Sequence, residues 1–107
     1  MSQTATGDDR ALIERFLEMM AAEAGASANT IAAYGTDLRL ASKVLAGGLA
    51  DADRTRIEKL AHEWRDLSRA TVARKSAALR RFFAFLAGEG VRAHDPGGAL
   101  PRPGSGG

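Results

Sequence analysis

Long apolar side chains recur along this chain at intervals of three and four, the period of a helix rather than a strand, and β-branched residues are sparse. Four segments carry the pattern. The first, about Asp8 to Ala24, sets Leu12, Ile13, Phe16, Leu17, Met19 and Met20 on a broad stripe, with Asp8 and Asp9 where a helix start favours negative charge and Gly25 as its stop. The second runs from Ser27, a good N-cap, to Ala46, with Ile31, Tyr34, Leu38, Ala41 and Leu45 on its stripe and Gly47-Gly48 at its end. The third, about Asp53 to Leu67, aligns Ile57, Leu60, Ala61 and Trp64. The fourth starts at Ser68 and passes through Val72, Leu79, Phe82, Phe83 and Leu86 to Gly88 or Gly90.

These elements predict an all-α fold, a compact bundle of four helices with flexible termini. Residues 1–7 lack a long apolar side chain after Met1 and are expected to be disordered. Residues 8–96 form the helical core domain, and residues 97–107, dominated by Gly and Pro, read as a linker or tail that cannot sustain a helix. A chain that stops inside a linker looks like a piece of something longer.

Charge changes the picture of the fourth helix. The net charge of the chain is only +2, but residues 1–66 hold eight Lys/Arg against eleven Asp/Glu, whereas residues 67–107 hold seven against two. From Ser68 to Ala87 there are five positive side chains and no negative one. On a helical wheel starting at Arg69, Val72, Leu79, Phe82, Phe83 and Leu86 fall between about 220° and 320°. Arg69, Arg74, Arg80 and Arg81 fall between about 0° and 140°, and Lys75 lies near 240° with a stem long enough to reach past the core. A core face is thus backed by a wholly positive ridge. A solvated helix face would look the same on charge alone, but a nucleic-acid backbone is the commonest partner for such a ridge, and Arg can read guanine in the major groove.

The second helix echoes the fourth. Shifted by 41 residues, 27–47 matches 68–88 at eight of 21 positions, including Ser27/Ser68, Thr30/Thr71 and Leu38-Arg39/Leu79-Arg80. Each helix opens on Ser-x-x-Thr, where free backbone N–H groups and hydroxyls suit phosphate. N-capping is the first role of Ser27 and Ser68, and the two roles are compatible. The second helix repeats the device more weakly, through Ser27, Asn29 and Thr30 at its start and Thr36, Arg39 and Lys43 on its outer face.

Other chemistry is scarce. There is no cysteine, so disulfides and thiolate sites are excluded, and His62 and His94 lie 32 residues apart, so neither a metal nor a cofactor is expected. Phe82, Phe83 and Phe85 follow a helical stripe and are assigned to the core, as is Trp64. Tyr34 has no neighbouring base to activate it, and His62-Glu63 reads as a surface pair. No apolar run approaches the roughly 20 residues of a membrane span, and the acidic first 20 residues suit no targeting peptide. A cytoplasmic protein is the expectation.

Two stretches carry a family resemblance. Ser27-Ala28-Asn29-Thr30-Ile31-Ala32-Ala33-Tyr34-Gly35-Thr36-Asp37-Leu38 resembles the S-x-N-T-x-x-x-Y-x-x-D-L opening of the core-binding domain of tyrosine recombinases and phage-type integrases. Thr71 to Leu86, with Arg74-Lys75, Leu79-Arg80 and the phenylalanines, resembles that domain's last long helix. Gly90, Asp95-Pro96 and Leu100-Pro101 resemble its exit. The likeness covers about residues 10–103 and is nearest the Xer branch. It departs where the family has basic residues after the tyrosine and this chain has Gly35 and Thr36, and where Ser76-Ala77 replaces Leu-Ser.

The resemblance implies a SAM-like bundle forming half of a clamp around double-stranded DNA, with further recombinase protomers as partners. It implies binding through Ser27, Asn29, Thr30, Thr36, Arg39, Lys43, Ser68, Arg69, Thr71, Arg74, Lys75, Arg80 and Arg81. Cleavage belongs to a separate catalytic domain, so this chain is expected to bind DNA and not to cut it. The alternative is a helical protein-interaction module that turns its basic face to an acidic partner, favoured by Leu40 on the outer side of the second helix.

Overall fold

A computed structural model describes residues 8–23 and 25–101. The expected disorder of residues 1–7 and the end of the expected tail, 102–107, lie outside them. Among the described residues there are four α-helices and no strand, as expected: α1 Asp9–Ala22, α2 Ala28–Val44, α3 Arg54–His62 and α4 Arg69–Gly88. A short 3-10 helix, η1, covers Pro96–Ala99. The chain divides into two compact units, Met1–Asp51 and Ala52–Gly107.

In the first unit α1 packs against α2. Leu12, Ile13, Phe16 and Met20 are buried on α1, and Leu38 and Ala41 on α2. The start of the α2 stripe is only half-buried at Ile31 and Tyr34, because the buried face turns towards Gly35 and Asp37. Gly35 is where the helices come close. A Cβ there would stand 3.1 Å from Leu17 Cδ1 of α1 and 2.9 Å from Arg39 Nη1. A helical glycine costs up to about 1 kcal/mol against alanine, and this contact is what the missing side chain permits.

The two aspartates at the start of α1 have different tasks. Asp8 is the N-cap, its carboxylate accepting from the Ala11 N–H. Asp9 is buried and accepts from the N–H groups of Leu49 (2.9 Å) and Ala50 (3.0 Å) and from the Ser42 hydroxyl. It therefore fixes the segment leaving α2 to the start of α1, 40 residues away. That segment begins with a reversal: α2 ends at Val44, two residues before the expected Ala46, and Ala46 adopts a left-handed φ of 55°. The amides of Ala46 and Gly47 bond back to Lys43 and Ser42 carbonyls, the pairing that closes helix ends.

In the second unit α3 is shorter than the periodicity predicts. It stops at His62, and the chain tightens through i→i+3 bonds from Trp64 to Ala61, Arg65 to His62 and Leu67 to Trp64. The Arg65 guanidinium caps the His62 carbonyl, and Trp64 is buried in this turn rather than on the helix. α4 buries Ser76, Ala78, Leu79, Phe82, Phe83 and Leu86, while Phe85 is half-buried.

The expected linker from Gly97 does not begin there. Pro96–Ala99 forms η1, both α3 and α4 pack against it, and Gly97 and Leu100 are buried. Proline and glycine cannot extend an α-helix, but a single 3-10 turn needs only one closing bond, here Leu100 N–H to the Gly97 carbonyl. Asp95 caps it through the Gly97 N–H at 2.8 Å. Arg92 adds a second tie, its guanidinium donating to the Ala52 carbonyl and lying 5.2 Å from the Phe83 ring centroid.

Candidate nucleic-acid interface

The two Ser-x-x-Thr openings are built alike. Ser27 and Ser68 are both N-caps in extended conformation, and each hydroxyl accepts from the N–H of the threonine three residues on, Thr30 or Thr71, at 3.1 Å. Each serine hydroxyl also donates to that threonine's Oγ1, at 3.1 Å for Thr30 and 2.9 Å for Thr71. The serine's proton is thereby committed. The threonine's proton stays available to an acceptor outside, beside N–H groups that a helix start leaves unpaired. The serines are exposed and the threonines half-buried.

Beyond its cap, α4 leaves Arg69, Arg74 and Arg81 exposed and Lys75 half-buried, with no Asp or Glu anywhere in the helix. Arg74 and Arg81 are seven residues apart, so they share a face at a spacing of roughly 10 Å. Positive side chains two turns apart along one face suit a polyanionic backbone better than a single small anion.

Arg80 departs from the sequence reading. Its guanidinium donates to the Pro101 carbonyl, and its stem lies against η1, where a Cβ on Gly97 would stand 3.5 Å from Arg80 Cγ. The side chain is half-buried and directed to the chain's exit, not to the outward ridge. Arg80 lies on the non-apolar side of the helical wheel, but the exit segment packs back over that side. Ser76 is likewise unavailable to a ligand. It is fully buried, and its hydroxyl has no hydrogen-bond partner among the described residues.

On α2 the expected residues occupy two places. Ser27 and Asn29 are exposed at the start, with Thr30 half-buried. Thr36, Arg39 and Lys43 are exposed along the outer face at steps of three and four. Leu40 (48 % exposed) and Val44 (54 %) share that face, and only the first was anticipated.

Arg10 is a basic residue that no local pattern in the sequence singles out. It lines, with Ile13 and Glu14 of α1 and Arg39 and Ser42 of α2, an open cleft of about 530 Å³. The isolated charge pattern of α1 gives no hint of this, because Arg10 gains significance only from its neighbours on α2. Among the described residues no group of three His, Asp or Glu side chains is placed to hold a metal ion, and no helix is long and apolar enough to cross a membrane.

The model of the phage integrase N-terminal SAM-like domain matches residues 13–90. The chain belongs to that family. It is 56 % identical over 93 residues to the tyrosine recombinase XerC of Erythrobacter litoralis, covering 87 % of this chain and 30 % of that protein. It is 43 % identical over 98 residues to XerD of Caulobacter vibrioides and 42 % over 100 residues to XerD of Rhizobium meliloti, in each case with 87 % of this chain and 32 % of the relative covered. The chain thus spans about a third of the length of the curated relatives it matches. No solved structure matches it significantly.

Proposed function

We propose that this chain is the DNA-binding domain of a site-specific tyrosine recombinase, acting on chromosomal or integrating DNA in the cytoplasm. In this reading it forms half of a clamp around a recombination half-site, and other recombinase protomers occupy the neighbouring half-sites. Strand cleavage is assigned to a part of the whole recombinase other than these residues.

The observation that carries the reading is the exposed Arg69, Arg74 and Arg81 on a helix without a single acidic residue. Lys75 supplements them, and the Thr30 and Thr71 hydroxyls, with the adjacent helix N–H groups, are the phosphate donors at the two helix starts. Arg74 and Arg81 are the residues best built to reach phosphates or guanine edges. Thr36, Arg39 and Lys43 serve the same backbone from α2. Arg80 is left out, since the Pro101 carbonyl holds it.

The test is a titration of the chain with short duplex DNA, followed by amide NMR shifts. Shifts concentrated at the starts of α2 and α4 and along Arg74 to Arg81 support the assignment. A spectrum unchanged by duplex at low salt overturns it.

A second reading has one specific observation behind it. Leu40 and Val44, four residues apart, form an exposed apolar step beside Lys43, which suits a protein partner. Shifts around Leu40 on adding an acidic protein, with none on adding duplex, would favour it.

A further inference from the structure

We propose that Arg10 of α1 and Arg39 of α2 together seat one DNA backbone phosphate in the cleft between these helices, and that Gly35 shapes the seat. The inference rests on the DNA-binding reading above and adds to it a contact from α1.

The cleft is open and lined by Arg10, Ile13, Glu14, Arg39 and Ser42. Its two guanidinium groups come from different helices, and neither has an acceptor among the described residues. Planar guanidinium forks match phosphate oxygens, and a pair of them can grip one phosphate from two sides. Ser42 does not compete for the role of donor, because its hydroxyl proton goes to Asp9. Asp9 in turn is occupied by that hydroxyl and by two backbone N–H groups, which offset its charge. Among the lining residues Glu14 is the only carboxylate, and against two guanidinium groups it sets the seat's net charge at one positive.

Gly35 explains the posture of Arg39. The guanidinium lies back along α2, with Nη1 where a Cβ on residue 35 would be only 2.9 Å away. A side chain at 35 would displace this group from its present position. An arginine with no such surface to lie against would keep more of its rotamers open and lose that freedom on binding.

The test compares Arg10→Gln, Glu14→Gln and Arg74→Gln with the wild type in duplex titrations over a range of salt. Residues 10 and 14 are exposed, so thermal melts should coincide and report intact folds. Arg10→Gln is expected to weaken binding roughly three- to tenfold, alike for unrelated duplexes, and to lower the slope of log affinity against log salt by about one. Glu14→Gln is expected to tighten binding. If Arg74→Gln weakens binding while Arg10→Gln changes neither affinity nor slope, the seat is refuted and the DNA-binding reading stands. If the wild type itself ignores duplex DNA at low salt, both fall.

Discussion

Gly35 of α2 lies so close to Leu17 of α1 that a Cβ at position 35 would stand 3.1 Å from the leucine Cδ1. Size at this position should therefore govern stability in the opposite sense to helix propensity. Gly35→Leu is expected to cost about 1–3 kcal/mol through overpacking. Gly35→Ala should stay within about 1 kcal/mol of wild type, because the propensity gain works against a displacement of a few tenths of an ångström. Urea denaturation of both variants checks the order; a leucine variant as stable as the alanine one would contradict the close approach.

Asp9 and Asp8 are neighbours in sequence with unequal consequences. Removing the Asp9 carboxylate leaves two buried N–H groups without acceptors, at about 1–3 kcal/mol each. Removing the exposed Asp8 cap costs about 1 kcal/mol. Asp9→Ala should thus be much the more destabilising, and its amides at Leu49 and Ala50 should lose protection in hydrogen exchange. Equal losses for the two variants would count against the buried clamp.

Arg80 and Arg81 should separate structure from binding. Arg80→Ala removes the tie to the Pro101 carbonyl and is expected to speed amide exchange at Gly97 and Leu100. Arg81→Ala changes an exposed side chain and should weaken duplex binding with a smaller effect on those amides. The reverse pattern would return Arg80 to the interface.

Ser76 is a polar group buried without a partner among the described residues. Such a hydroxyl costs roughly 1–3 kcal/mol to bury, and alanine is also the better helix former. Ser76→Ala is expected to raise the melting temperature and to leave duplex affinity unchanged. A lower melting temperature would mean that the hydroxyl is satisfied in solution.

What the sequence made legible was local. Helical period, Ser27 and Ser68 as caps, and the division of α4 into a phenylalanine face and an arginine face all follow from neighbours within one or two turns. α3 ends before the apolar period does, because Trp64 keeps that period through a turn that is no longer α-helical. The relationships that decide Asp9, Gly35, Arg80 and Arg10 join residues from different elements, up to about 40 positions apart, and no periodicity encodes them. For the same reason η1 was hidden: glycine and proline announce the end of an α-helix but not a short turn that packs. The candidate interface is therefore readable as a ridge on one helix, while the tie of Arg80 to the Pro101 carbonyl and the place of Arg10 beside Arg39 follow only from the fold.

The most direct test of the central claim is the salt dependence of duplex binding by wild type and Arg74→Glu, measured by fluorescence anisotropy. Clear binding at low salt is expected, with a steep linear fall of log affinity with log salt, and markedly weaker binding with a shallower slope for Arg74→Glu. Absence of binding at low salt, or an affinity untouched by the charge reversal, would contradict it.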